Sequence, residues 1–328
     1  MSGGGSKITN FSQAVAGFSW IVAGGFAAWA VARVTAADRV RRTERLIVPL
    51  LSFTPLVAAA APWAALGLRL AGRRRPAATA ALAAAALGAV VRTRRIPRPG
   101  SGASGPMLRV LTANVYFGRG DMEVIVARAR QGNADVLFLQ ELTEDSVTRL
   151  KQAGLEDMLP YMQFDLRGGS RGSGIYSRFP LGAGPAVRSA HMAQPTALLE
   201  LPDGESVELV CVHPVPPAPF RKDGASQWRA ELATLPPPGE RPRVLAGDFN
   251  ATADHAAFRD VLRLGYLDAA QQAGKALTPT WGLPGKNAVF TLDHVLVDRR
   301  CAVLEYSVHL IPGTDHRAVY AEIQLPER

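Results

Sequence analysis

The hydrophobic pattern divides the chain into a part with long apolar runs and a part with short ones. Residues 14–32 are 19 residues without a charge, residues 46–68 are 23 more, and residues 76–91 form a mostly alanine run of 16. A helix needs roughly 20 apolar residues to cross the hydrocarbon core of a bilayer. We therefore expect a transmembrane region over 1–91 with about three helices, of which the third is the shortest.

From residue 107 onward the apolar runs are short, often β-branched, and separated by helical patterns. The strand-like runs include "MLRVLTANVY", "ADVLFLQEL", "SVELVCVHP", "RPRVLAGDFN", "LDHVLVD" and "RAVYAEIQL". The helical patterns lie over 121–131, 144–154, 226–235 and 254–264. Strands interspersed with helices indicate a layered α/β domain over 107–328, with two packed sheets and outer helices. The Arg-, Pro-, Gly- and Ser-rich segment 92–106 predicts a flexible linker between the two parts.

The positive charge of the chain belongs to its N-terminal part. The net charge is +9 overall, and residues 1–106 hold 14 Arg and Lys residues against only Asp38 and Glu44. Residues 107–328 hold 23 basic residues against 26 acids, a net charge of −3. A protein that binds long polyanions usually presents a basic surface. The charge of the C-terminal part therefore does not favour nucleic acid as the partner.

The two cysteines, Cys211 and Cys301, each lie in or beside an apolar strand-like run. They form neither a CxxC motif nor a zinc-binding spacing. We expect two unpaired thiols that pack as small core residues. A disulfide is the alternative if the domain faces an oxidising compartment.

Polar residues recur where the predicted strands end or begin. They are Asn114, Glu141, His213, Asp248, Asn250, Asp293, Asp315 and His316. One such residue is usually a turn or a solvated strand end, because Asp and Asn side chains bond the nearby backbone. Acid, amide and imidazole groups at six strand ends predict instead one shared site, since strand ends at one edge of a sheet converge.

These ordered motifs resemble the endonuclease/exonuclease/phosphatase superfamily, the fold of DNase I-like nucleases, inositol polyphosphate phosphatases and neutral sphingomyelinases. The matching pieces span 108–324 and are "TANVY", "FLQEL", "GSGIYSRFPL", "VCVHP", "AGDFNA", "FTLDHVLVD" and "GTDHRAVYAEI". The resemblance implies a four-layer α/β sandwich of two mixed sheets with outer helices. It also implies hydrolysis of phosphate esters with a divalent metal, normally Mg²⁺, with Mn²⁺ as the alternative.

The resemblance assigns the metal to three residues. Glu141 matches the principal metal ligand of the family, with Asn114 beside it. Asp315 is expected to contribute to the same metal or to a second one. Oxygen ligands of this kind suit Mg²⁺, which takes one or two carboxylates and keeps several waters.

By the same resemblance, the other polar residues have catalytic roles. His213 and His316 flank the phosphate, and Asp293 orients His316. Asp248 and Asn250 lie where the family holds the attacking water, so "GDFN" presents a carboxylate and an amide to the phosphorus. Either Asp248 or His316 removes the proton from that water, and we favour Asp248.

The apolar N-terminal part favours one branch of the superfamily. Apolar spans, an Arg-rich linker and a domain without long insertions resemble the membrane-bound, VanJ-like branch of actinobacteria, which is linked to glycopeptide (teicoplanin-type) antibiotic resistance. That resemblance implies a multi-pass plasma-membrane protein with the lipid bilayer as partner and a lipid-linked or small phosphorylated substrate of cell-wall synthesis. A membrane-tethered nuclease is the alternative, and a non-catalytic receptor or scaffold is a third reading. No protein partner is indicated.

The basic flanks and the VanJ-like resemblance predict opposite sides of the membrane for the C-terminal domain. With three spans, nine basic residues flank the side of the C-terminal domain and five flank the other side. Basic flanks tend to stay in the cytoplasm, so this count favours a cytoplasmic domain. The VanJ-like resemblance implies instead that Met1 lies inside and residues 107–328 lie outside. We expect the extracytoplasmic orientation, because the charge margin is small and the third span is short.

Overall fold

The structure is a computed structural model that describes residues 4–98, 100–187, 189 and 191–327, with side chains described from residue 13 onward. The chain divides into two compact units, Met1–Thr93 and Arg94–Arg328, which are taken one at a time below. Met1, which we expect on the cytoplasmic side, lies outside the described residues.

The N-terminal unit consists of helices that pack through small residues. These are α1 (Gly4–Val34), α2 (Glu44–Leu51), α3 (Thr54–Leu70) and α4 (Arg74–Arg92). Ala23, Ala65 and Ala80 form one buried cluster among them. The indole N–H of Trp29 donates to the hydroxyl of Thr54 at 3.1 Å. Small side chains let helices approach closely, as they commonly do in membrane bundles.

Two segments of the described chain, Gln13–Val34 and Arg74–Arg95, are each long and apolar enough to cross a membrane. They contain the first and third predicted spans. The third is longer than its alanine run suggested, because the helix continues through the arginines at both ends. Large apolar side chains such as Ile21 and Leu82 are more than 70% exposed on these helices, at 71% and 74%. An apolar outer surface of this kind suits contact with lipid.

The second predicted span, 46–68, is interrupted. Its two halves, α2 and α3, meet at an angle of 74°. Pro55 occupies the first turn of α3, and a proline has no N–H to continue the hydrogen bonds of a preceding helix. The expectation of one uninterrupted helix is therefore wrong, and a third crossing exists only if the bent pair acts as one span.

The C-terminal unit is built on two sheets. In chain order its strands are β1 (Met107–Asn114), β2 (Val136–Gln140), β3 (Tyr161–Asp165), β4 (Ser173–Ser177), β5 (Leu181–Ala183), β6 (Thr196–Glu200), β7 (Ser206–Val212), β8 (Arg243–Asp248), β9 (Tyr266–Asp268), β10 (Asp293–Asp298), β11 (Ala302–Leu310) and β12 (Arg317–Gln324). The first sheet has the order β11-β12-β1-β2-β4-β3 and the second β5-β6-β7-β8-β10-β9. Each sheet is mixed, with β1 parallel to β2 in the first and β7 parallel to β8 in the second.

Helices cover the outer faces of both sheets. They are α5 (Met122–Gln131), α6 (Glu144–Gln152), α7 (Gly224–Leu232) and α8 (Ala256–Arg263), whereas the short α9 (Ala269–Gln272) contributes Ala269 and Ala270 to the core between the sheets. One apolar core lies between the sheets, with Val110 and Phe138 from the first and Ala246 and Val295 from the second. A second core lies between the first sheet and α5 and α6. The predicted α/β sandwich is confirmed, and the four predicted helical segments all contain a helix.

Both cysteines lie in the core between the sheets. Cys211 and Cys301 are free and fully buried. The amide of Gln140 donates to the sulfur of Cys211 at 3.2 Å. Burial raises the pKa of each thiol to about 12, so neither is a reactive thiolate at neutral pH.

The segment predicted as a flexible linker is bonded to the C-terminal unit from Arg94 onward. The backbone N–H of Arg98 donates to the carbonyl of Gln272 at 3.1 Å, and that of Gly105 donates to the carbonyl of Leu325 at 2.9 Å. The hydroxyl of Ser101 donates to the carbonyl of Arg300 at 2.5 Å. The composition of 92–106 indicated that the segment has no core of its own. Composition could not show that the rest of the C-terminal unit supplies its hydrogen-bond partners.

An ion pair in the protein interior fixes the start of this segment. The guanidinium of Arg94 donates to both carboxylate oxygens of Asp254, at 2.8 and 2.5 Å. The two side chains are 5% and 0% exposed. Asp254 follows β8 by six residues and lies just before α8. A residue far away in the sequence therefore holds the loop that continues from "GDFN".

Candidate active site

The predicted site residues gather where the strand ends of the two sheets meet. β10 runs antiparallel to β8, so that its first residue, Asp293, pairs with Asp248 at the end of β8. The amide N–H₂ of Asn114, at the end of β1, donates to the carboxylate of Asp248 at 3.1 Å and joins the first sheet to the second. All eight predicted residues belong to one chain of contacts through these groups.

The backbone turns sharply at several of these strand ends. Glu141 (φ 60°), Asn250 (φ 49°), Tyr116 (φ 46°) and Phe117 (φ 53°) all adopt left-handed backbone conformations. Asn tolerates this region, whereas the other three residue types rarely occupy it. Backbone of this kind costs energy and persists where the surrounding structure requires it, commonly at functional sites.

The strand that carries Asp248 approaches its neighbour closely. Gly247 has φ 149°, and a β-carbon there would lie 2.0 Å from the carbonyl oxygen of Val212. Only glycine fits this contact. The glycine of "GDFN" therefore lets the end of β8 lie against the end of β7, beside His213.

Glu141 sits at the open end of the first sheet. One carboxylate oxygen accepts the backbone N–H of Phe117 at 2.8 Å, and the other accepts the amide of Asn114 at 3.2 Å. Burial raises the pKa of this carboxyl, and these two hydrogen bonds act in the opposite direction. A positive ion beside Glu141 would offset the cost of burying its charge.

Asn114 acts as a bridge between carboxylates. Its side-chain oxygen accepts the backbone N–H of Tyr116 at 2.9 Å. Its amide nitrogen is thereby turned towards Glu141 and Asp248, and donates to both. In this arrangement Asn114 positions the two carboxylates, while its predicted role as a metal ligand stays a prediction.

His316 and Asp293 form a hydrogen-bonded pair. The Nδ1 of His316 lies 2.9 and 3.1 Å from the two carboxylate oxygens of Asp293. Its Nε2 lies 3.7 Å from the carboxylate of Asp248. Burial lowers the pKa of the ring, but the carboxylates of Asp293 and Asp248 outweigh that effect and raise the pKa well above its usual value. At neutral pH His316 is therefore an imidazolium.

Asp248 is buried among these groups. Burial raises the pKa of its carboxyl, and the charge of His316 opposes that effect. One oxygen accepts the backbone N–H of Asn250 at 2.8 Å. The side-chain amide of Asn250 donates to the carbonyl of Pro214 at 3.1 Å, which ties "GDFN" to the loop after His213.

His213 approaches Asp248 from the end of β7. Its Nε2 lies 4.0 Å from the carboxylate of Asp248. Its buried Nδ1 has no hydrogen-bond partner among the described residues. Burial, aided by the charge of His316, lowers the pKa of the ring to about 3, so the imidazole is neutral at physiological pH.

Asp315 has a free oxygen in the site, and a tryptophan holds the other one. The indole N–H of Trp281 donates to Oδ2 of Asp315 at 3.1 Å. Oδ1 is buried without a partner among the described residues and lies 3.9 Å from Nε2 of His316. The ring of Trp281 also contacts that of His316 edge to face, with centroids 6.5 Å apart.

The donor set fits a hard divalent cation. Glu141 and Asp315 provide carboxylate oxygens, and the unpartnered Oδ1 of Asp315 is a buried acceptor that a cation would satisfy. Ligand atoms of Asp248, Asp293 and His316 also lie within 4.8 Å of one another. The proton on His316 already supplies positive charge to that second group, so we favour Glu141 and Asp315 as the cation ligands.

Some residues around the site were not identified from the sequence. Trp281 lies in a polar segment, and only its place shortly before the strand of Asp293 was a signal. His294, the residue after Asp293, contacts Asp268 through Nδ1 at 3.0 Å and the carbonyl of Ala251 through Nε2 at 2.9 Å. This second histidine–aspartate pair supports the "GDFN" loop from behind.

Comparison with known proteins agrees with the fold and the strand-end motifs. The model of the Endonuclease/Exonuclease/phosphatase family matches residues 111–316. No curated protein matches the chain.

Among solved structures, an endonuclease/exonuclease/phosphatase from Beutenbergia cavernae superposes with a TM-score of 0.52 at 19% identity, covering 67% of this chain and 72% of that one. The humanized TDP2 of D. rerio gives a TM-score of 0.52 at 17% identity, covering 66% of this chain and 98% of that one. At these identities the two structures show a shared fold.

Proposed function

The chain belongs to the endonuclease/exonuclease/phosphatase family, whose members are metal-dependent enzymes that hydrolyse phosphate esters or phosphodiesters, and on this premise we propose that it is a membrane-anchored phosphoesterase. Its substrate in this proposal is a lipid-linked phosphate ester, pyrophosphate or phosphodiester, such as an intermediate of cell-wall synthesis. The observation that carries the proposal is the buried contact chain from Glu141 through Asn114 and Asp248 to His316.

The proposed cation is Mg²⁺, with Mn²⁺ as the alternative, held by Glu141 and Asp315. When bound, it neutralises charge on the phosphoryl oxygens. Asn114 keeps Glu141 and Asp248 at fixed separation by donating to both. The strained backbone of Glu141 directs its carboxylate into the site at no further conformational cost during the reaction.

Asp248 is the proposed general base. Its raised pKa makes it a stronger base than an exposed carboxylate, while the neighbouring imidazolium keeps part of it ionised at neutral pH. A water between Asp248 and Asn250 would lose its proton to Asp248 as it attacks phosphorus. Asn250 holds the loop geometry through its bond to Pro214.

His316 is the proposed stabiliser of negative charge. Asp293 fixes Nδ1, so the Nε2–H of the imidazolium points into the site beside Asp248. That donor would bond a phosphoryl oxygen as its charge develops. His213 is neutral and its Nε2 lies 4.0 Å from the same carboxylate oxygen of Asp248 that His316 approaches, so it would donate one hydrogen bond to the phosphate.

The membrane anchor supports a lipid substrate. Two described segments are long and apolar enough to span a membrane, and residues 107–328 carry a net charge of −3. An enzyme held in a bilayer meets lipid-linked substrates at high local concentration. We propose a multi-pass plasma-membrane protein with Met1 inside and the C-terminal unit outside.

A tethered nuclease is the second candidate, and one feature favours it. The guanidinium of Arg119 lies over the rings of Tyr116 and Phe117, 5.3 and 5.9 Å from their centroids. A cleft of 620 Å³ beside these residues is lined by Arg119 and Arg149, among others. Aromatic and guanidinium groups of this kind stack on nucleotide bases.

A substrate panel tests the proposal. The full chain, purified in detergent, is incubated with polyprenyl pyrophosphate, nitrophenyl phosphate and plasmid DNA, with Mg²⁺ or with a chelator. We expect Mg²⁺-dependent release of phosphate from the lipid substrate, abolished by Asp248→Asn and retained by Asp203→Asn on the exposed surface. Cleavage of plasmid DNA alone would favour the nuclease, and no Mg²⁺-dependent activity on any of the three would contradict an enzyme of this class.

Fusion proteins test the side of the membrane. Alkaline phosphatase attached after residue 328 is active only outside the cytoplasm, whereas green fluorescent protein exported unfolded is fluorescent only inside. We expect an active phosphatase fusion and a dark fluorescent one. The reverse result would place the site in the cytoplasm, exclude lipid intermediates of the outer leaflet, and favour inner-leaflet lipids or nucleotides.

A further inference from the structure

Three loops surround the candidate active site, and each is attached to it at its base. We call them together the site rim: residues 116–119, 214–222 and 281–290. In the first, the backbone N–H of Phe117 donates to Glu141 at 2.8 Å. In the second, the carbonyl of Pro214 accepts the amide of Asn250 at 3.1 Å. The third begins at Trp281, which donates to Asp315 at 3.1 Å.

Away from these attachments, the site rim exposes large apolar side chains. The exposed fractions are 47% for Phe117, 83% for Phe220, 64% for Leu283 and 48% for Val289. A soluble surface rarely concentrates such residues around one site unless they contact a partner. Their occurrence on all three loops marks the opening of the site as an apolar surface.

The charge of the site rim is opposite in sign to that of the rest of its unit. The three segments contain Arg119, Arg221, Lys222 and Lys286, and no aspartate or glutamate. Residues 107–328 as a whole have a net charge of −3. The basic residues follow the exposed apolar ones by one to three positions, as in Phe220–Arg221 and Leu283–Lys286.

The longest of these exposed loops has a rigid base. Trp281 and Phe290 stack with centroids 5.8 Å apart and an interplanar angle of 8°. Their backbones also form two hydrogen bonds. The N–H of Trp281 donates to the carbonyl of Phe290 at 2.9 Å, and the N–H of Phe290 donates to the carbonyl of Trp281 at 3.0 Å. Leu283 and Lys286 lie between these closing residues, so the loop presents them without needing to fold on contact.

We propose that the site rim is a lipid-contact surface: its apolar side chains enter the interfacial region of a bilayer and its basic side chains bind anionic headgroups. This proposal rests on the proposed function, because contact there would present a lipid-linked phosphate to Glu141 and Asp248. Apolar tips followed by basic residues are what surface binding to anionic lipid requires.

The composition of the site rim favours lipid over nucleic acid. Leu283 and Val289 are aliphatic. Contact with a polyanion would contribute little binding free energy at these side chains, whereas their transfer from water into a lipid layer is favourable. Nucleic acid would favour aromatic and basic groups without exposed aliphatic ones. Phe220 is the most exposed of the four apolar side chains, at 83%, as expected of a group that inserts.

A site-specific fluorescent label tests the proposal. Cys211 and Cys301 are fully buried, so a single introduced cysteine can be labelled with an environment-sensitive nitrobenzoxadiazole dye in the full chain. Leu283→Cys reports on the site rim. Leu304→Cys, on β11 and 55% exposed, is the matched control. Each labelled protein is placed in nanodiscs of phosphatidylglycerol or in detergent, and duplex DNA is added to the detergent sample.

In phosphatidylglycerol we expect a blue shift and a rise of about twofold in emission at position 283, and no change at position 304. Val289→Cys should repeat the result from the other end of the loop. Equal emission at positions 283 and 304, or a larger response to DNA than to lipid, would overturn the proposal. The readout does not depend on hydrolysis. A lipid response without phosphoesterase activity would leave the lipid-contact surface standing and remove the proposed function, and activity without a lipid response would do the reverse.

Discussion

Each group in the site has a state set by its nearest neighbours. Glu141 is half-buried and has a left-handed backbone conformation, and two donors act against the effect of its burial on the pKa of the carboxyl. His316 is charged because Asp293 and Asp248 lie beside it, whereas His213, only 4.0 Å from Asp248, is neutral. The surroundings therefore shift the pKa values of the two histidines in opposite directions, so that one ring favours its charged form and the other its neutral form.

Removing the charge of Glu141 should remove the metal. Glu141→Gln keeps the size of the side chain, so we expect the fold to persist while Mg²⁺ affinity and turnover fall by roughly a hundredfold or more. Calorimetric titration with Mg²⁺ and initial rates measure the two effects. Glu144→Gln, an exposed residue of α6, is the control. Unchanged Mg²⁺-dependent turnover in Glu141→Gln would exclude Glu141 as the ligand.

His316 and Asp293 should act as one unit. Asp293→Asn leaves the ring without its orienting carboxylate, so the double variant Asp293→Asn, His316→Ala should lose little more activity than His316→Ala alone. Rates of the two single variants and the double variant complete the cycle. Glu240→Gln, on the exposed surface, should combine additively with Asp293→Asn. Losses at Asp293 and His316 that simply multiply would show that the pair does not work together.

The pH dependence of the rate should have two limbs. The base form of Asp248 appears only above its raised pKa, so kcat/KM should rise with pH beyond the range of an ordinary carboxylate. Charged His316 persists up to its raised pKa, so the rate should fall only well above the usual histidine range. Both values belong to a coupled pair. In Asp293→Asn the ring loses a negative neighbour, so the alkaline limb should move to lower pH; an unmoved limb would assign it to another group.

At the scale of secondary structure elements, the sequence was most informative where an apolar run and the polar residue at its end predicted the same strand boundary. Apolar and polar residues alternate little along β8 and β10, and every residue of both strands is buried. Each strand has an aspartate at the end that faces the site. Both strands, with Asp248 and Asp293, could therefore be predicted. The bend between α2 and α3 was not predicted, because hydropathy averages over a proline that occupies the first turn of α3. Hydropathy indicates whether a segment suits a lipid or an aqueous environment, but it does not indicate whether the helix is straight.

Gly247 should be indispensable to the packing of β7 against β8. In Gly247→Ala the β-carbon would lie 2.0 Å from the carbonyl oxygen of Val212, so we expect a loss of about 1–3 kcal/mol beyond that of Gly204→Ala. Gly204 also has positive φ, at 85°, but its β-carbon would meet nothing within 4 Å. Thermal unfolding of both variants is compared: Gly204→Ala measures the cost of backbone strain, and the additional loss in Gly247→Ala measures the cost of the clash with Val212. Equal losses would show that the close approach has no energetic importance.

For the whole molecule, local sequence gave the composition of the site but not the contacts that support it. The order of the motifs predicted eight residues that the structure brings together, because strand ends on one edge converge. The bond from Trp281 to Asp315 and the pair of Arg94 and Asp254 join positions 34 and 160 residues apart. No period or spacing in a single sequence marks such partners, since each depends on the complete packing of two sheets.

Arg94 should stabilise the C-terminal unit. Arg94→Ala leaves the carboxylate of Asp254 buried without its partner, which typically costs about 3–5 kcal/mol. The double variant Arg94→Met, Asp254→Leu removes both charges and should recover much of that loss. Thermal unfolding of the full chain in detergent measures both, with the exposed Arg95→Ala as control. Equal melting temperatures for Arg94→Ala and Arg95→Ala would contradict the role given to the pair.

The buried pair of Arg94 and Asp254 bears on where the chain can be cut without loss of stability. A protease that cut the chain anywhere between Arg94 and β1 would release a fragment without Arg94, so that the carboxylate of Asp254, six residues beyond Asp248, would lose the guanidinium that pairs with it. The freed fragment would be least stable next to β8, the strand that carries Asp248. A stable fragment of the C-terminal unit would therefore have to keep its first residue at or before Arg94.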